Sequence, residues 1–215
     1  MDLPAEHISE IDHLVYACSD LEEGVRHITE ELGMAPVEGG RHPAWGTHNA
    51  LLGLGPRCYL EIIGPDPSPQ RSSVDIPEAF TAAGNGSLTT WAARVDQLPE
   101  HYSGLQSACP ALGGLVSGSR RRLDGETLSW VLTDPASLVM KGAVPFLIDW
   151  GDSDHPASGL ARGCALRSLV LQHPEPGHLV AVLDALGLSD LVQVEAAPDA
   201  GLGALIETPT GIVRI

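Results

Sequence analysis

His13, His48 and Glu61 each interrupt a short apolar run in the first third of the chain: Ile11-Asp12-His13-Leu14-Val15-Tyr16, Gly46-Thr47-His48-Asn49-Ala50-Leu51-Leu52 and Tyr59-Leu60-Glu61-Ile62-Ile63. Two imidazoles and a carboxylate are ligand types for a divalent first-row metal such as Zn, Ni, Mn or Fe. An ion held by three protein groups keeps open positions, where substrate oxygens can be polarised. Glu61 is the hardest of the three to explain otherwise. A carboxylate between Leu60 and Ile62 is costly to bury without a metal, a cation or a proton partner. It is expected to be a metal ligand, or the catalytic base if the histidines hold the metal alone. Either histidine, taken singly, reads more readily as a hydrogen-bonded core residue. The three form a site only if their runs are neighbouring strands.

Alternation along a strand assigns the faces: His13 goes with Ile11 and Val15, and Glu61 with Tyr59 and Ile63. A two-residue turn at Gly55-Pro56 sets Leu54 opposite Arg57, Ala50 opposite Glu61 and His48 opposite Ile63. His48 and Glu61 then share a face, and a slip of one residue separates them. Between glycines at both ends, residues 39–46 supply a cation (Arg41), an imidazole (His42) and an aromatic face (Trp45). That segment reads equally as a ligand-contacting loop or an ordinary strand connection. Asn49 is assigned to substrate binding beside His48. Asp149 and Trp150 are expected to line the cavity from the middle of the chain, with a core role for Trp150 as the alternative. His155, His173 and His178 adjoin Pro or Gly and read as surface positions, and Arg120-Arg121-Arg122 beside Asp124 and Glu126 reads as a solvated turn.

The elements that must position these residues recur loosely. Residues 11–17 form a strand; Asp20 caps a helix whose stripe is Leu21, Val25, Ile28 and Leu32, and Gly33 ends it. Strands over 35–37, 47–54 and 58–63 follow. The last third repeats the order, with strand 166–171, a helix opened by Pro176 and closed by Gly187, and strands at 191–194, 203–207 and 212–215. The middle is less regular, with strand 87–95, a helix over 96–109, and strands at 115–117, 127–132 and 145–150. The expected organisation is three units, 1–68, 69–160 and 161–215, in one assembly, with residues 151–163 a plain connection.

Composition narrows the partners. A formal net charge of -16 over 215 residues argues against nucleic acid and anionic membranes. Lys141 is the only lysine, which leaves Schiff-base chemistry one poorly placed candidate. Cys18, Cys58, Cys109 and Cys164 lack metal or disulfide spacing and fit reduced, packed thiols. The first residues lack a basic and apolar leader pattern, and no apolar run reaches the roughly 18–20 residues of a membrane span. A soluble cytoplasmic protein that handles a small molecule is expected.

The order of elements, with Gly40-Arg41-His42-Pro43, Gly46-Thr47-His48-Asn49, Tyr59-Leu60-Glu61 and Pro145-Phe146-Leu147-Ile148-Asp149-Trp150-Gly151, resembles the glyoxalase-like branch of the vicinal oxygen chelate superfamily. The resemblance implies an α+β fold of βαβββ modules whose curved mixed sheets surround a cavity. It also implies metal-dependent chemistry, of lyase, isomerase or dioxygenase type, on neighbouring oxygens of a small metabolite. Ligands in that superfamily come from the first and last strands of modules, as His13 and Glu61 would, whereas His48 falls on a third strand. Thr89 or Thr90 and then Ser168 stand where His13 would recur, so a site with two ligands from each module is not implied. The superfamily also holds metal-free proteins that sequester drugs or aromatic ligands. Under that alternative Trp45, Trp91, Trp130 and Trp150 are the stacking surfaces. Modules work in pairs, so an odd count implies internal pairing plus a homodimer.

Overall fold

The computed structural model describes residues 8–68, 76–82, 84, 86–121 and 127–215. Among them the order strand, helix, three strands occurs three times. The first set is β1 (Ile8–Ala17), α1 (Leu21–Leu32), β2 (Val37–His42), β3 (Thr47–Gly55) and β4 (Cys58–Pro65). The second is β5 (Ser87–Val95), α2 (Leu98–Ala108), β6 (Leu115–Arg121), β7 (Thr127–Thr133) and β8 (Phe146–Asp149). The third is β9 (Ala165–His173), α3 (Pro176–Ala185), β10 (Gln193–Ala196), β11 (Gly201–Thr208) and β12 (Gly211–Arg214). Helix α1 forms where the capping chemistry places it: the Asp20 carboxylate accepts the N–H groups of Glu22 and Glu23, and Gly33 takes φ 69° at the other end.

The first two sets share one eight-stranded sheet in the order β2-β3-β4-β1-β5-β8-β7-β6. β1 runs antiparallel to β5 at its centre, and each has a parallel neighbour, β4 or β8. The sheet curls until its edges β2 and β6 approach each other. The third set makes a separate sheet, β10-β9-β11-β12. One face of the large sheet, with Leu14, Leu60, Ile62, Trp91 and Leu147, packs in a common core with the helices and the small sheet's Leu169, Leu171 and Ile206. Its other face carries Val15, Ile63, Trp130, Phe146 and Trp150 around a cavity. No helix among the described residues is long and apolar enough to cross a membrane.

Three bulges decide which side chains reach the cavity. On β1, Ile11 pairs with Ala93 and His13 with Ala92, leaving Asp12 as an extra residue. A bulge re-aims side chains that alternation would place. Ile11 packs with Leu14 against the helix-side core, so it does not share a face with His13 as alternation predicts. On β3, Gly53 pairs with Tyr59 and Gly55 with Cys58, which leaves Leu54 extra. The turn is Pro56-Arg57, one residue later than expected; that shift alone keeps His48 on Glu61's face, and the bulge reverses it. Leu51 stands opposite Glu61, Asn49 opposite Ile63 and His48 opposite Gly64. On β2, the step between Glu38 and Arg41 bulges at Gly39-Gly40. Half of the expected 39–46 loop is therefore strand. Arg120 also lies on a strand, β6, rather than in a turn, while Arg122, Asp124 and Glu126 fall outside the described residues.

Candidate active site

Asp12 is fully buried and takes three hydrogen bonds. His13 Nδ1 lies 2.7 Å from Oδ1; Trp150 Nε1 and His155 Nε2 lie 3.0 and 3.1 Å from Oδ2. Burial alone would raise this carboxyl, but the hydrogen bonds from His13 and His155, and the charge these rings carry when protonated, outweigh it and lower it to about 2. An ionised carboxylate only accepts, so all three neighbours donate. The Nδ1 of His155 accepts the Ala157 N–H at 3.1 Å, which leaves its Nε2–H for Asp12. His13 spends its Nδ1–H on Asp12, and its Nε2 is free to face the cavity.

That Nε2 lies 3.7 Å from Glu61 Oε2. The two atoms face each other, with no other protein group among the described residues between them. Tyr59 stacks on the His13 ring at 4.6 Å and Phe146 meets it edge-on at 5.4 Å, which fixes the imidazole plane. The other Glu61 oxygen accepts from Asn49 Nδ2, while Asn49 Oδ1 accepts the Gly40 N–H at 2.7 Å. The Asn49 amide is thus oriented from both ends. Tyr59 is buried, its phenol pushed well above the ordinary value by burial and by the Asp12 and Glu61 charges, so it stays neutral.

These groups open on a common cavity. His42, Trp45, Asn49 and Trp150 line it with His13 and Glu61, as does Arg120. The ring of His42 is pushed below the ordinary histidine value, first by burial and against the pull of Glu61, so it faces the cavity uncharged near neutral pH. Three residues assigned to the site by sequence are placed elsewhere. His48 is on the opposite face of β3 from Asn49; Arg41 is exposed and paired with Asp66; Asp149 accepts the N–H groups of Leu98 and Gly151. Trp91 is in the helix-side core, its indole donating to the Ala143 carbonyl. His155, expected at the surface, is buried on Asp12. Asp12 was open to the argument used for Glu61, since it too is a carboxylate in an apolar run. His155 and Arg120 gave no comparable signal, because they arrive from distant segments.

A resident divalent ion would need donors that converge on one point. His13 Nε2 and Glu61 Oε2 face each other, but the Asn49 oxygen is engaged by Gly40 and His48 points away. Among the described residues no three His, Cys, Asp or Glu side chains converge on a point where an ion would sit. A protein-held first-row ion takes at least three such ligands. The described residues do not fit one.

The family model described as a glyoxalase-like domain matches residues 11–187. A hypothetical protein from Staphylococcus aureus shares the fold, with a TM-score of 0.67 at 14% identity over 95% of this chain and 98% of that one. Methylmalonyl-CoA epimerase from Mycobacterium tuberculosis is more distant, with a TM-score of 0.44 at 18% identity over 71% of this chain and 93% of that one. A Streptomyces coelicolor methylmalonyl-CoA epimerase, in complex with 2-nitronate-propionyl-CoA, aligns with a TM-score of 0.46 at 16% identity over 68% and 99%. No curated protein matches the sequence. With the repeated strand–helix–strands order and a family match over most of its length, the chain belongs to the glyoxalase-like domain family of the vicinal oxygen chelate superfamily.

Proposed function

We propose that this glyoxalase-like protein is an enzyme that moves a proton on a small oxygen-bearing metabolite, an isomerase- or lyase-type reaction. The observation that carries the reading is the buried Asp12 carboxylate with three hydrogen-bond partners, one of them the Nδ1 of a His13 ring whose other nitrogen faces Glu61. A carboxylate behind an imidazole that faces a cavity is the arrangement of a general base, which contributes about 10²–10⁴-fold to rate. Here the base is the His13–Glu61 pair. It takes a proton from the carbon next to a substrate carbonyl and returns it to a neighbouring atom, the proton resting between Nε2 and Oε2. Asn49 holds Glu61 at the distance this needs, and the Tyr59 and Phe146 rings keep bulk water from the imidazole.

The test is isotope exchange. Small 2-oxo and 2-hydroxy carbonyl compounds are incubated with the protein in D₂O, and the proton beside the carbonyl is followed by NMR. Protein-dependent loss of that signal is expected, falling about a hundredfold or more in Glu61→Gln and His13→Gln. Exchange undiminished in both variants, or absent for every compound, would remove the reading. Exchange that is lost on chelation and restored by Zn, Ni, Mn or Fe would replace it with metal chemistry.

A second reading rests on the aromatic lining. Trp45, Trp130, Trp150 and Phe80 surround the cavity, a surface suited to holding a flat ligand without chemistry. Tight binding of an aromatic compound that is indifferent to Glu61→Gln, without isotope exchange, would favour sequestration.

A further inference from the structure

Arg120 comes from β6, the edge strand farthest along the sheet from β2, yet its Nη1 donates to the Gly39 carbonyl of β2 at 3.0 Å. It therefore spans the seam where the curled sheet almost closes. The guanidinium is half-buried and lines the cavity that holds His13 and Glu61. Among the described residues no carboxylate pairs with it. A guanidinium has five N–H donors in a planar fork, and among the described residues one of them is committed, to the Gly39 carbonyl. The glycine step is fitted to it: a Cβ on Gly40 would stand 3.0 Å from Arg120 Cδ. The same step carries the N–H that holds Asn49, and Asn49 holds Glu61. One two-glycine bulge thus braces the cavity's fixed cation and its base.

We infer that Arg120 is the residue that recognises a substrate carboxylate, so that the metabolite handled here is a small carboxylic acid whose reacting carbon is presented to the His13–Glu61 pair. The identification rests on the proton-transfer reading for the second half of that statement but not for the first. A planar fork matches a carboxylate with two parallel hydrogen bonds. A phosphate group would call for further cations, and Arg120 is the only lysine or arginine among the described residues that line this cavity. The surrounding protein, at a formal -16, repels anions in general, so anion binding here must be local. A carboxylate on Arg120 would also bring the electron-withdrawing carbonyl of a 2-oxo acid into the cavity, where a neighbouring C–H is acidic enough to be taken.

The experiment uses the intrinsic fluorescence of Trp45, Trp130 and Trp150, titrating the full chain with pyruvate, oxalate and malonate, with the matching amides, and with inorganic phosphate. At least one carboxylate is expected to saturate the wild-type signal, with its amide tenfold weaker or more. Arg120→Met is expected to lose at least tenfold in affinity and to stop distinguishing acid from amide. Arg120→Lys, which keeps the charge but not the fork, should fall between, and it keeps the test informative if the Met variant lowers the thermal midpoint. Glu61→Gln should bind the carboxylate at least as tightly as wild type, because it removes a negative charge from the cavity.

Three results overturn the assignment: no carboxylate binds the wild type, Arg120→Met binds as well as wild type, or phosphate binds more tightly than every carboxylate. Isotope exchange separates this failure from that of the proposed function. Exchange lost in Glu61→Gln but indifferent to Arg120→Met retains the base and discards the carboxylate. Carboxylate binding that depends on Arg120, with no exchange in any variant, does the reverse.

Discussion

β1 and β9 carry the same irregularity at the same place and turn it in opposite directions. In β1 the extra residue is Asp12, followed by His13-Leu14-Val15; in β9 it is Arg167, followed by Ser168-Leu169-Val170. Both strands are the first of their repeat and sit inside their sheets. Asp12 points inward and gathers three donors, whereas Arg167 points to solvent and pairs with Glu207 on β11. β5 has a third instance: Val15 pairs with Thr90 and Tyr16 with Leu88, leaving Thr89, whose hydroxyl donates to the Ala79 carbonyl. The bulge belongs to the fold, since it recurs where no chemistry is in view. The reactive centre belongs to the residue placed on it and to the donors that meet it. In the first repeat those donors include Trp150 and His155, carried in by the segment after β8.

The sharpest way to break the contrast is to remove both bulge residues in turn. Asp12→Ala leaves the Trp150, His155 and His13 donors without their acceptor in a buried site. Stability should fall by about 3–5 kcal/mol, the cost of breaking a buried charged network. Arg167→Ala removes one exposed ion pair and should cost less than about 1 kcal/mol. Chemical denaturation of both variants measures the difference. Equal losses would mean that the two bulges carry the same weight and that Asp12 is not the centre of a network.

The acid limb of stability sharpens the same point. The Asp12 carboxyl sits at about 2 in the folded protein, against an ordinary value of 3.8. A folded value below the unfolded one adds stability that is fully present above the unfolded value. That stability is lost as the pH falls through about 4 towards 2. The shift corresponds to about 2 kcal/mol. Asp12→Asn cannot titrate, so the stability gap between wild type and this variant should narrow by about that amount between pH 5 and pH 2. Urea midpoints measured across the range give the answer, and a gap constant with pH would show that Asp12 is not held ionised by its donors.

Much of the fold was legible in the sequence. Asp20, Gly33, Pro176 and Gly187 mark helix ends by local chemistry that needs no tertiary information, and the three strand–helix–strands runs follow from periodicity. The site was legible only in part, and the reason is arithmetic. Alternation counts residues, and each bulge adds one to the count without a mark in the pattern. Leu54 exchanges His48 for Asn49 beside Glu61, and Asp12 turns inward next to His13 although adjacent residues should face apart. His155 and Arg120 lay beyond any local pattern, since 143 residues separate His155 from Asp12 and 81 separate Arg120 from Gly39.

A smaller effect is expected at His155. Its imidazole touches Asp12 and not the proton pair, so it acts by holding the carboxylate that sets the His13 tautomer. His155→Ala should leave the protein folded and slow isotope exchange about tenfold through a looser His13. His155→Gln, which keeps a donor, should recover part of the rate. A purely structural role would lower the thermal midpoint in both variants without separating their rates.

The smallest effect is expected at His48, and it tests the register on which the whole site rests. In the observed pairing Asn49 opposes Ile63 and turns towards Glu61, while His48 opposes Gly64 and lies on the other side of β3. Half-buried there, its imidazole is pushed below the ordinary value, first by burial, so it is neutral near pH 7 and loses no charge on substitution. His48→Ala should change isotope exchange and carboxylate affinity by less than about twofold, because the side chain lies on the other side of β3 from the one that carries Asn49 to Glu61. Asn49→Ala on the neighbouring residue should cost far more, since it frees Glu61 and leaves the Gly40 N–H without its partner. A reversed ranking, with His48→Ala the damaging change, would place His48 beside Glu61, return a third nitrogen or oxygen ligand to the set, and reopen a metal-held site built from His13, His48 and Glu61.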